Sequence, residues 1–419
     1  MNRIVIFFIT AIICQSCTQT KQEYLKENRF DLSSSDFNFP ECDFNIIGFG
    51  AYHGSSKTEN VELELLESLT KKESIKYYFP ETDFSLGHYF NEYLKNGDTL
   101  LLKDLVTTYG NRVPQERTIE VYEKWKKLRQ INEKLPNSKK LTVIGIDLQV
   151  NYKYASKHIL DLIKPTANEP KPIQAIRQMV MLDTASWRID STVYSYTVLK
   201  DLIRDYESNK QSFLTHISNT QEFEHIVENL KYTFQKERLY RDQIMFKNYQ
   251  ALDSIYNFKE NPQFLRMGFS HIVKSREGKE GYPYFFTRLI ENKVYDKSKV
   301  LTVMGYLTDS KVVWDELYDE EGNYEGYTIE GGYGIGDYEK EYFRGIQNLK
   351  DNKISDRTLF RLNKCSSPYI EKEPDLMEVI MQDEKSNGER VKGMSTLEFI
   401  DYAVLISDSK ESIPIFEMK

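Results

Sequence analysis

Short apolar runs alternate along the chain with longer stretches whose apolar residues recur at helical spacing. Phe44 to Gly50, bounded by glycine, has the form of a buried strand, and Ile75 to Pro80 repeats it. Between them, Glu59 to Lys71 sets Val61, Leu63, Leu65, Leu66 and Leu69 largely on one helical face. The pattern predicts a helix over Thr118 to Leu135, a third strand over Leu141 to Leu148 and a helix from Ser156 to Ile163. Residues 165–255 carry long helical patterns with few strand candidates and read as a helical insertion. Strand-like runs return at Phe264 to Phe269, Lys299 to Leu307 and Tyr402 to Ser407. Lys311 to Tyr333, with its Glu-Gly-Asn turn at Glu321 to Asn323, predicts a C-terminal β-hairpin. Strands separated by helices predict an α/β fold with a largely parallel central sheet flanked by helices.

The first residues break this pattern. Arg3 is followed by an apolar run from Ile4 to Ile13, too short for a bilayer span of about twenty residues but suited to a signal-peptide core. Ser16 before Cys17 resembles the cleavage and lipidation site of bacterial lipoproteins, so residues 1–17 read as a signal and Cys17 as a lipid anchor holding an exported protein to a membrane. Residues 18–43, rich in Ser, Asn and Asp, read as a polar tether to a catalytic domain over 44–419. With 40% hydrophobic residues the body can bury a substantial core, and a net charge of −8 argues against nucleic acid as a partner. Lys124, Lys126 and Lys127 read as a solvated helix face. Four cysteines are too few for a disulfide scaffold at this length.

Chemistry collects where the strands stop. The run Ile46 to Gly50 leads to His53, Tyr77 to Pro80 to Glu81 and Asp83, Val143 to Ile146 to Asp147, and Leu265 to Ser270 to His271. Open parallel sheets bind ligands outside the carboxyl ends of their strands, so these endings would bring two imidazoles and several carboxylates to one rim. Both histidines sit three residues after a glycine, in Gly50-Ala51-Tyr52-His53 and Gly268-Phe269-Ser270-His271. Histidine is the natural general base near neutral pH, and His/Asp/Glu clusters also bind divalent ions. Taken singly, each ending is equally what a buried strand does on meeting its loop. Two helical stretches add polar residues at facing intervals: Trp125, Arg129 and Asn132, and Arg241-Asp242 with Met245 and Asn248.

The stretch Ile46 to Gly97 resembles the start of the erythromycin esterase family, with its Ala-x-His-Gly turn (Ala51, His53, Gly54) and a strand ending in Glu81. The blocks Trp125-x-x-x-Arg129-x-x-Asn132, Gly145-Ile146-Asp147-Leu148-Gln149 and Arg241-Asp242 through Asn248 follow in the family's order, and His271 matches the second histidine of its His-Asn-x-His segment. The likeness covers roughly Phe44 to Leu307. It implies an α/β hydrolase of a small-molecule ester or lactone, needing no cofactor. His53 would be the general base, Glu81, Glu120 and Asp147 would orient groups or stabilise charge, His271 would polarise the carbonyl or hold the water, and Arg241 would steady the oxyanion. No Gly-x-Ser-x-Gly elbow is present, so a serine nucleophile is not expected. The chain departs from the family at Gly50, where a Glu is usual, and at Gly268, where the segment's first His is usual. The doubled Gly-x-x-His that results is similar to the Tiki and TraB relatives, which include metal-dependent peptidases. That likeness makes a divalent metal on His53, Glu81 and His271 the alternative, and a surface binding lipoprotein with a degenerate site the third reading.

Overall fold

The computed structural model describes residues 19–72, 75–149, 151–164, 168–184, 192–235, 239–331, 337–382 and 386–419. The signal-like run and Cys17 lie outside the described residues. The central sheet has the order β1-β11-β13-β6-β2-β5-β3-β4. These strands are β1 (Arg29–Asp31), β2 (Ile46–Gly50), β3 (Tyr77–Phe79), β4 (Thr142–Val143), β5 (Gln263–Met267), β6 (Val300–Thr308), β11 (Arg357–Arg361) and β13 (Tyr402–Ser407). The run from β13 to β4 is parallel throughout, and β11 is antiparallel to both of its neighbours, β13 and β1.

β2, β5 and β6 are buried along their whole length because both faces of the sheet are covered. Alternate residues enter two cores: Ile46, Tyr77, Phe79, Leu265 and Met267 one, Ile47, Phe49, Tyr78 and Phe264 the other. The helices are α1 (Lys21–Glu27), α2 (Ser56–Lys71), α3 (Phe84–Asn96), α4 (Thr99–Tyr109), α5 (Ile119–Lys134), α6 (Tyr152–Asp161), α7 (Lys171–Met181), α8 (Tyr194–Leu214), α9 (Thr220–Phe234) and α10 (Arg241–Tyr256), with shorter ones beyond. The expected hairpin is β7 (Val312–Tyr318) against β8 (Tyr324–Glu330), and β9 (Asp337–Tyr338), β10 (Glu341–Phe343) and β12 (Val379–Met381) make a small antiparallel sheet. Among the described residues no helix is long and apolar enough to cross a membrane.

Residues 18–43 are not a tether over the part described. α1 is closed by a Thr20/Glu23 capping box, and β1 pairs with β11 at the sheet edge. Tyr24, Leu25, Leu32, Phe37 and Phe39 are buried, and these widely spaced apolar residues outweigh the polar average of the segment. Lys124 is likewise not on a solvated face: it is buried, with its ammonium 2.6 Å from Glu59 and 2.8 Å from Glu62. Trp125 stacks on Phe90 in the core and the Asn132 side chain accepts from the Leu141 N–H, so this face of α5 supports the fold and not the site. Cys42 and Cys365 are exposed free thiols.

Candidate active site

The carboxyl ends of β2, β3, β4 and β5 lie side by side, since β5 inserts between β2 and β3 and β4 flanks β3. His53 follows β2, with its side chain 15% exposed. Its Nδ1 makes a short hydrogen bond to Glu116 and its Nε2 lies 3.3 Å from Glu81 Oε2. Glu81, just past β3, accepts from Arg241 Nη2 (2.6 Å) and from the Gly268 backbone N–H (2.7 Å). Arg241, the first residue of α10, also donates through Nε to both oxygens of Asp147, at 3.0 and 3.1 Å. Asp147 is fully buried, and Arg112 approaches it from the other side at 3.3 Å. Asn229 and Asn248, from α9 and α10, hold the carbonyls that lead into this turn.

His271 rides on a short 3₁₀ turn after β5. Its Nε2 lies 3.2 Å from Arg241 Nη1 and its Nδ1 2.7 Å from Asp242 Oδ1. A guanidinium only donates, which makes Nε2 the acceptor and Nδ1–H the donor to Asp242. Both imidazoles approach the Glu81 carboxylate, His53 at 3.3 Å and His271 at 4.0 Å. The strand endings thus converge, as their spacing predicts.

The charges follow from burial and neighbours. Burial and the nearby Arg266 charge would lower His53, but the Glu116 charge together with the hydrogen bonds to Glu116 and Glu81 outweighs them and lifts the imidazole to about 9. Burial opposes ionisation of Glu116 as well, yet the charge of His53 brings it down to about 2. Glu81 and Asp147 are also pushed up by burial; Arg241 beside Glu81, and Arg112 with Arg241 beside Asp147, more than compensate and hold both below their usual values. The resting site is therefore an imidazolium between Glu116 and Glu81, with a guanidinium that shares Glu81 and also holds Asp147.

One expected member is displaced. Glu120 turns away and accepts a hydrogen bond from the Ile413 backbone N–H (2.8 Å), while Glu116, one helical turn earlier on a Pro114–Glu116 3₁₀ turn, meets His53. Glu116, Arg112 and Arg266 carry no local sequence signal. Asp242 does: it stands beside Arg241 in the α10 block. The two glycine departures differ in kind. A Cβ on Gly50 would meet Ile272 at 2.7 Å, so a side chain there must displace Ile272, whereas one on Gly268 would lie 3.5 Å from His53 Nε2 and 3.8 Å from Glu81 Oε2. Gly268 leaves room in the middle of the site.

The metal-ligand set of His53, Glu81 and His271 suits a divalent ion poorly. The Nε2 lone pair of His271 and both oxygens of Glu81 already face donors, and the guanidinium brings a full positive charge among them. Among the described residues no group of three or more His, Cys, Asp or Glu is arranged to hold a metal.

An α/β fold with a polar cluster at the carboxyl ends of its parallel strands is the class this architecture defines. No family model matches the chain, and no curated protein matches it in sequence. Solved structures share the fold. A Bacillus cereus protein superposes with a TM-score of 0.62 at 14% identity, covering 95% of this chain and 99% of its own. A succinoglycan biosynthesis protein gives 0.61 at 15% identity, again over 95% and 99%. An erythromycin esterase mutant in its open conformation gives 0.56 at 12% identity, over 89% of this chain and 93% of that one. The chain thus has the fold of an erythromycin esterase.

Proposed function

We propose that the protein is a hydrolase that cleaves an ester or lactone by activating water on His53, without a covalent intermediate. The observation that carries this is the pairing of His53 with Glu116, which leaves Nε2 facing the Glu81 carboxylate that Arg241 and His271 also approach. With His53 deprotonated, Nε2 takes a proton from water as the oxygen adds to the carbonyl carbon. The imidazolium so formed is stabilised by Glu116, and Arg241, beside Glu81 and His271, supplies positive charge for the developing oxyanion. The same imidazolium then returns the proton to the departing alkoxide, leaving a carboxylic acid and an alcohol. Glu81 and Asp147 fix Arg241, and Asp242 fixes the tautomer of His271.

The crowding of Arg241 among the acceptors favours this metal-free reading over the metal-dependent one. An exported, lipid-anchored location through Cys17 belongs to the same proposal. The test is turnover of a p-nitrophenyl ester and of a simple lactone by the purified protein, with and without EDTA. The reading expects turnover that survives the chelator and falls by about 10²-fold or more in His53→Ala. Loss to EDTA with recovery on added Mn²⁺ or Zn²⁺ would instead select the metal-dependent reading. Full biological effect in His53→Ala would select the binding lipoprotein.

A further inference from the structure

A layer of buried charge lies beneath the site, and the chemistry above does not use it. Its centre is Arg266, the fourth residue of β5, which is 1% exposed. Strands through the middle of a parallel sheet are expected to be apolar, so a guanidinium here needs a reason. Four contacts supply one. Nη1 donates to the Met267 carbonyl (2.6 Å) and reaches that of Ala51 (3.4 Å), at the ends of the two adjacent strands that deliver His271 and His53. Nη2 lies 3.8 Å from Glu116 Oε1, the oxygen bonded to His53. Nε lies 3.6 Å from Glu62 Oε2, which is itself held by Lys124 and whose other oxygen takes the Tyr78 hydroxyl. Behind them Lys124 pairs with Glu59.

The Arg266 contacts to Glu116 and Glu62 are longer than hydrogen bonds, so they act through the electric field, which burial strengthens. Buried ion pairs are poor sources of stability compared with packed apolar side chains, so stability alone does not account for this group.

We propose that Arg266 is a positioning residue for the His53–Glu116 pair, clamping the ends of β2 and β5 and setting the charge that Glu116 presents to the imidazole. This deepens the hydrolase reading and rests on His53 being its reactive group. The groups facing His53 are Glu116 from the turn before α5, Glu81 after β3 and Arg266 on β5. Glu59 and Glu62 on α2, Lys124 on α5, Tyr78 on β3 and Tyr109 on α4 stand behind, and Arg241 and His271 across the cleft.

The sign of each effect is fixed by charge. Removing the cation in Arg266→Met strengthens the negative field on His53 and raises its titration midpoint; removing the anion in Glu62→Gln leaves Arg266 less opposed and lowers it. Arg266→Lys keeps the charge and stays near the parent value. NMR of the His53 ring across pH, on the whole protein, reads this without any substrate. Shifts of about one pH unit, upward in Arg266→Met and downward in Glu62→Gln, are the expected result. Midpoints that stay put, or that move the same way in both variants, overturn the proposal. Should Arg266→Met fail to fold, Glu62→Gln and Arg266→Lys still decide it by the sign of the first and the constancy of the second. A failed ester assay would sink the hydrolase reading and leave this titration result standing.

Discussion

Two glycines that look alike in sequence do different work in the site. Gly50 is glycine because Ile272 fills the space its side chain would need, whereas a Cβ on Gly268 would sit at ordinary contact distance from both imidazoles and Glu81. Gly50→Ala is expected to overpack the core at a cost of about 1–3 kcal/mol. Gly268→Ala, whose nearest neighbours lie at ordinary contact distance, should change stability little; urea denaturation of the two variants compares them directly. At the same scale it is Glu116, which the sequence does not mark, and not the candidate Glu120, that meets His53. Glu116→Gln removes the charge that stabilises the imidazolium formed in the reaction and should cut the high-pH plateau of kcat/KM about tenfold or more, while Glu120→Gln should leave that plateau unchanged. Steady-state kinetics on one ester would separate them. The sequence does not mark Glu116 because this partner of His53 lies 63 residues away on a short turn, where no periodicity singles it out.

At the scale of elements, the endings of β2, β3, β4 and β5 could be read from sequence because strands buried on both faces are unbroken apolar runs, and the first polar residue after each stands out. What could not be read is how those endings are held. β4 is a pair of residues, and beyond it the chain is fixed by side chains from the helices that follow. Asn248 on α10 donates to the Ile146 and Asp147 carbonyls while Arg241, at the start of the same helix, grips the Asp147 carboxylate. On α10 the polar side chains Asp242 and Asn248 face inward, while Lys247 and Gln250 are exposed. Asn248→Ala is expected to strand buried carbonyls at about 1–3 kcal/mol and to lower kcat more than it raises KM, since it loosens the Asp147–Arg241 clamp. Thermal denaturation together with kinetics would show both effects, and a change in KM alone would argue against the clamp.

Across the whole molecule, the main departure from the sequence reading is the N-terminal segment. Its polar composition hides five large side chains that close one edge of the core, and burial of each such side chain contributes about 1.5–3 kcal/mol. Deleting residues 18–43 should therefore abolish cooperative unfolding, the sum being comparable to the whole margin of a typical domain. A tether would leave the denaturation midpoint where it was. The antiparallel edge formed by β11 and β1 was missed for a related reason: both strands are short, and their pairing is written only in distant segments.

The same long-range assembly fixes the protonation state on which the proposed chemistry depends. His53 is held up to about 9 because Glu116 and Glu81, brought from separate elements, enclose it. If its free form is the base, few molecules are competent at neutral pH and the competent fraction grows as the pH rises. The most direct measurement is the pH dependence of kcat/KM for one ester. Unit-slope growth on a logarithmic scale up to about pH 9 and a plateau beyond it, with the bend displaced to lower pH in Glu116→Gln, is the predicted result. A profile that is flat from pH 6 to 10, or that falls above pH 9, would contradict His53 as the base.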